Sequence, residues 1–342
     1  MKKIVLLITI QILCMHSFVV NAQRIFSTSY TMDDGLAANR VYSILQDSCG
    51  FMWFGTDDGL SRFDGIAFKN YYLSEYINAT TSNSVKKIFI DRRGRMWIGL
   101  DTGIVIYDSK TDTFQPFHAK TETGEMIQIY VTDMIEDSDG EVWIATSGEG
   151  LYRFSPSDKV RLRVYRNIPG KINSISQNII MTLQQDSKQN IWVGTWSEGL
   201  FRYHPKDKKW IEYPQLNEYN SAHVIFEDSQ NRIWIGSFGK GITLLQHPYD
   251  MKKLSWITFS AEDPTNKISD NYIYAITENK ETKTLWFGTR KGISITTVSS
   301  QQSDIKWNNI YPSDTPKALP FNEVDALIND KQGNIWIGTL GG

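Results

Sequence analysis

Residues 186–203 read DSKQNIWVGTWSEGLFRY. An aspartate is followed six places on by a tryptophan, then by a Gly-Thr pair, then by a second glycine that opens an apolar-aromatic segment. The Asp side chain suits a short turn, because its oxygens can hold nearby backbone N–H groups. The Trp centres one strand, and Gly199 follows a short loop and starts another. Working outward, the same phrase returns from Asp47, Asp91, Asp137, Asp228 and Asp330, and in looser form from Asn279, with one extra residue before its tryptophan. The seven tryptophans are Trp53, Trp97, Trp143, Trp192, Trp234, Trp286 and Trp336, at a mean spacing of about 47 residues. A four-stranded propeller blade needs ~40–50 residues, so the expected fold is all-β, a seven-bladed β-propeller.

The rest of each copy fits a blade. Apolar residues stand six and three places before the Asp, as in Val41 and Ile44 before Asp47 or Val324 and Leu327 before Asp330. They mark innermost strands beginning near residues 41, 85, 131, 180, 222, 273 and 324. Gly50, Gly94, Gly140 and Gly333 sit where the turn needs a positive φ, and Asn231 substitutes in the fifth copy. In the fourth copy the left-handed residue is expected to shift from Gln189 to Asn190, and the sixth turn should be the most irregular. A large indole recurring at one strand position suits packing between neighbouring sheets far better than a stacking platform for ligands.

With 41% hydrophobic and 22% charged residues in 342, the chain can bury a sizeable core. Its formal charge of -2 offers no basic face for phosphate backbones, which excludes nucleic acid as an expected partner. Met1 to Ala22 has a basic start, an apolar run and small residues before a cleavage point, so residues 1–22 are expected to be a signal peptide and the remainder, 23–342, an exported propeller. Cys14 leaves with the leader and Cys49 is left as a free thiol. No metal or cofactor site is expected; the run from Asp137 to Gly140 lacks the distant glutamate of a calcium loop. A ring must close to hide its sheet edges, and Ile25 to Met32 reads as an outer strand for the last blade. That blade lacks its third and fourth strands, so the chain is expected to be a fragment of a longer protein, truncated in blade seven.

The repeat Asp-x-x-Gly-x-x-Trp-x-Gly-Thr-x-x-Gly-Leu-x-Arg-Tyr/Phe, matched closely by Asp47 to Asp64 and Asp186 to Tyr203, resembles that of the two-component regulator propeller family. The opening Tyr30 to Leu36 and Val41 to Ile44 is also similar to the start of such sensors. The resemblance implies the N-terminal periplasmic sensor part of a hybrid two-component histidine kinase anchored in the inner membrane. Its partners would be a second propeller and an immunoglobulin-like domain of the same receptor, with homodimerisation of the receptor left open. It implies an oligosaccharide ligand and transcriptional control through downstream domains. The chain itself is read as non-enzymatic, since His118, His204, His223 and His247 lack the setting of a phospho-accepting histidine and read as surface or strand residues.

Loops between second and third strands vary over this constant frame, which is how a binding face looks. Trp196 and Phe238 are aromatics the repeat does not require, suited to CH contacts with sugars. Arg40, Asp57, Glu198, Lys240 and Arg290 complete the candidate ligand set. Two other classes stay open. One is a scaffold propeller without a small ligand. The other is a propeller glycosidase or lyase using pairs such as Asp57 with Glu198 or Glu149 with Asp101, against which stands the absence of a catalytic motif.

Overall fold

The structure is a computed structural model and describes residues 27–342 apart from 77–81, 119, 122–128, 157–160, 170–173, 215–220, 299–304 and 313–318. The expected leader lies outside the described residues. Six four-stranded antiparallel blades follow one another, each running from inner to outer strand in chain order. Blade 1 is Val41–Gln46, Met52–Thr56, Gly59–Phe63 and Phe68–Tyr71. The inner strands of the next five are Val85–Ile90, Val131–Glu136, Ile180–Gln185, Val224–Glu227 and Ile273–Asn279. Blade 3 carries an added short strand, Lys120–Thr121, parallel to its outer strand.

The number of full blades is therefore six rather than seven. The seventh position holds a two-stranded sheet, Val324–Asn329 with Ile335–Thr339, after which the sequence has three residues. Nor is there a strand over the described part of Ile25 to Met32. Residues 27–31 have no regular structure and Met32–Asp34 forms a 3-10 turn capped by Thr31. Tyr30 instead wedges its ring between Phe63 of blade 1 and Trp336 of the seventh sheet, with centroids 5.0 and 6.1 Å away.

The repeated aspartate organises each blade. In six copies one carboxylate oxygen accepts the N–H groups two and four residues on, while the other accepts the indole N–H of the Trp six residues on at 2.8–2.9 Å. One side chain thus closes the turn and fixes the indole that fills the gap to the next blade. Trp53 packs on Val85 and Ile88, Trp143 on Ile180 and Leu183, and Trp234 on Ile273 and Ile276. The sixth turn is the irregular one: Asn279 Oδ1 accepts the N–H groups of Glu281 and Thr282 but no indole, Trp286 turns to Thr284 Oγ1, and Lys283 takes φ 53°. In the fourth copy the left-handed residue is Gln189 itself, φ 68°. Asn190 is not free to take that role, because its backbone N–H and side-chain amide both donate to Asp186.

Two contacts recur round the ring, and both are present where the seventh sheet meets blade 1. A Cβ on Gly55, Gly99 or Gly236 would stand 2.5–2.6 Å from the next blade's first inner residue, and one on Gly338 would stand 2.8 Å from Val41. The Gly-Thr glycine is thus a requirement of close sheet approach. On the opposite side, the residue before the Asp accepts the N–H that follows the Asp of the preceding blade, as Glu136 does from Arg92, Glu227 from Ser187 and Glu278 from Ser229. Gln46 does the same from Lys331 across the seam. The ring closes with the same chemistry that builds it.

Candidate functional site

The loops between second and third strands share one end of the ring with the segments entering the inner strands. Backbone N–H groups of the former bond the carbonyls of the latter, as Asp57 to Arg40, Ser147 to Tyr130, Trp196 to Ile179 and Arg290 to Tyr272. Except in blade 2, where Leu100 ends the second strand, a hydroxyl at that strand's end staples its own loop, as Thr195 Oγ1 does to the Gly199 carbonyl at 2.9 Å and Ser237 Oγ to that of Gly241 at 3.0 Å. The variable residues are therefore displayed on a stiff frame.

Six of the seven inner strands enter the ring through a β-bulge, which re-aims one side chain. Pairing skips Tyr42, Lys86, Thr132, Met181, Tyr274 and Asp325. His223 holds the equivalent place before Val224–Glu227, its N–H bonded to the Gly236 carbonyl. These residues line the channel mouth, where successive members meet. Lys86 Nζ lies 3.7 Å from the Tyr42 ring centroid, and the His223 and Tyr274 rings are 5.5 Å apart.

This geometry divides the candidate residues into two groups. Arg40 and Asp57 fall on the seam side. Arg40 donates to Glu323 Oε1 at 2.8 Å and to Asp325 Oδ2 at 2.9 Å, tying blade 1 to the seventh sheet. Asp57 accepts from Tyr42 OH at 2.6 Å. Burial pushes the Asp325 carboxyl up to about 6, with Arg40 pulling the other way and Glu323 adding to the rise. Arg40 is thus occupied as a clamp, and Asp57 is held by Tyr42 with Lys86 nearby. Glu149 is likewise engaged by Arg166 at 2.6 Å.

The second group lies across blades 4, 5 and 6. Trp196, 41% exposed, packs on Phe238 with ring centroids 4.8 Å apart. Phe238 meets the Tyr272 ring edge-on at 4.6 Å, and the Arg290 guanidinium lies 3.9 Å from the Tyr272 centroid. Arg290 and Lys291 both approach the buried Asp270 carboxylate at 3.5 Å. Glu198 is exposed on the Trp196 turn, and Lys240 is half-buried on the Phe238 turn, where its charge helps hold the Glu262 carboxyl low after the hydrogen bond from Asn271.

Sequence reading missed Tyr272, Tyr274, Asp270 and His223, and it placed His223 among ordinary surface or strand residues. The readable signal was positional: all lie five to nine places before the turn Asp or Asn, where the repeat asks for nothing aromatic. His223 instead sits between Phe238 and Tyr274, and burial pulls its imidazole down to about 4, so it is neutral near pH 7. Among the described residues no group of three His, Cys, Asp or Glu is arranged to hold a metal, no helix is long and apolar enough to cross a membrane, and Cys49 is exposed and free.

The family described as Two component regulator propeller matches the chain over residues 35–58, 126–148, 174–197, 218–239 and 318–341. A 43-residue stretch is 51% identical to Histidine kinase P4 of Formosa agariphila, covering 13% of this chain and 3% of that protein. Among solved structures, the extracellular domain of BT3049 from B. thetaiotaomicron, an inferred hybrid two component system, superposes with TM-score 0.77 at 24% identity over 92% of this chain and 40% of that one. The corresponding domain of BT4673 from the same organism gives TM-score 0.70 at 21% identity over 88% and 39%. The chain thus spans about two fifths of the solved ectodomains it matches, and what it resembles are propellers of sensor ectodomains rather than catalytic domains. Five segments distributed round the ring thus carry the repeat described as Two component regulator propeller.

Proposed function

We propose that the chain is an extracytoplasmic ligand-sensing propeller of a hybrid two-component receptor, and that its ligand is an oligosaccharide bound at the channel mouth of blades 4 to 6. The observation that carries this reading is the exposed Trp196–Phe238 pair, set beside Arg290 and Tyr272 on loops whose backbones are stapled from below. Aromatic faces suit the CH surfaces of sugars, and guanidinium N–H groups suit hydroxyls or carboxylates. The five repeat matches and the similar sensor ectodomains support the receptor context, in which a second propeller, an immunoglobulin-like domain and a membrane-anchored kinase would share one chain. Signalling would then follow from a difference in ligand affinity between two arrangements of that receptor.

Titration calorimetry with cello-, xylo-, manno-, galacto- and galacturono-oligosaccharides of two to six units tests it. At least one series should bind, and Trp196→Ala with Phe238→Ala should weaken it by about 10–100-fold, the loss of two stacking contacts. Binding to none of the series, or binding untouched by the double variant, would favour a scaffold role.

A further inference from the structure

The site has an inner end that the rim residues do not explain. His223 stands immediately before the inner strand of blade 5, in the place that the bulged residue takes in the other blades, with its N–H on the Gly236 carbonyl. Its imidazole lies between Phe238 and Tyr274, with ring centroids 5.8 and 5.5 Å away. The residue keeps part of its surface open, yet its Nδ1 is covered and has no hydrogen-bond partner among the described residues. A covered polar atom without a partner is costly and invites one. The neighbouring bulge positions are taken by Met181 and Tyr274, so no charged group of the channel lining stands next to it on either side.

We infer that His223 is the specificity-determining contact of the ligand site, and that it reads a hydroxyl on the terminal sugar of an oligosaccharide that enters the channel mouth end-on. The inference rests on the saccharide reading above and narrows it. Seven inner strands wall the channel, so a sugar in mid-chain, lying across the loops, would reach Trp196 but could not bring its ring down to the bulge layer. A chain end could, with its faces against Phe238 and Tyr274. A neutral imidazole offers one donor and one acceptor, which matches a hydroxyl that both gives and takes a hydrogen bond. A site built around such a bond rejects a ligand lacking the hydroxyl far more strongly than an apolar wall would.

The test uses the oligosaccharide series that binds in the calorimetric panel, its terminal monodeoxy derivatives and the parent polymer. The wild-type protein should prefer the parent sugar over one terminal deoxy derivative by 100-fold or more, and should bind polymer in proportion to chain ends rather than mass. His223→Phe keeps the ring shape, so it should fold, and it should bring the deoxy preference close to one; His223→Gln, which restores a donor and an acceptor, should recover part of it. An unchanged preference in His223→Phe, or polymer binding that scales with mass, would overturn the inference. If those results came while Trp196→Ala with Phe238→Ala still weakened binding, the sensor reading would stand and only the end-on reading would fall; if no saccharide bound the wild type, both would fall.

Discussion

Asp186→Ala should cost about 3–5 kcal/mol of stability, enough to leave little folded protein at 37 °C if the ring has the usual margin. Asp186 is buried, and its two oxygens serve five donors: the N–H groups of Lys188 and Asn190, the Asn190 amide, the Trp192 indole and the Tyr249 hydroxyl. Removing the carboxylate opens the turn and strands a fully buried indole N–H without a partner, and each such group costs ~1–3 kcal/mol. Asp186→Asn retains an acceptor for the backbone and should cost about half as much, since bonds to charged acceptors are the stronger ones. Urea unfolding midpoints of the three proteins check the order; an Ala variant within about 0.5 kcal/mol of wild type would mean that the aspartate follows the blade geometry instead of setting it.

Arg40→Ala should destabilise the ring by about 2–4 kcal/mol at pH 8, with the deficit narrowing as the pH falls through 6. Arg40 holds Glu323 and Asp325 across the seam, and Asp325 is almost fully covered. The Asp325 carboxyl titrates near 6 in the folded ring, above its ordinary value, because burial outweighs the attraction of Arg40. A raised carboxyl binds its proton more tightly in the folded state, so this group's contribution favours folding at low pH and is lost as the pH rises from about 4 to about 6. Above that window the carboxylate is charged and depends on Arg40; below it the proton makes the partner unnecessary. Thermal melts of wild type and variant at pH 5 and pH 8 measure the gap, and an equal gap at both would remove Asp325 from the explanation.

Both predictions concern residues whose type was readable in the sequence while their work was not. The spacing of six from Asp to Trp identified the turn and the packing indole. It did not show that the turn folds back far enough to set the indole N–H on the carboxylate, because chain separation is not spatial separation. Gln189 took the left-handed conformation because the turn imposes it and Asn190 was already committed to Asp186. Arg40 read as a ligand contact; its partners are about 285 residues away in sequence and adjacent only because the ring closes. The candidate ligand residues were found by looking for what varies on the loops. The same search passed over His223, Tyr272 and Tyr274, which lie on or beside inner strands whose other residues are fixed by the repeat. A bulge re-aims Tyr274, and a bulge leaves no mark in a single copy of the pattern.

The central claim is that ligands are read at the channel mouth of blades 4 to 6, and amide hydrogen exchange with and without a bound oligosaccharide tests it most directly. Protection should rise at residues 196–198, 238–241, 272–274 and 290–291, with the turns on the opposite face, such as 187–190 and 229–232, unchanged. Protection confined to that opposite face, or to the outer strands, would contradict the account.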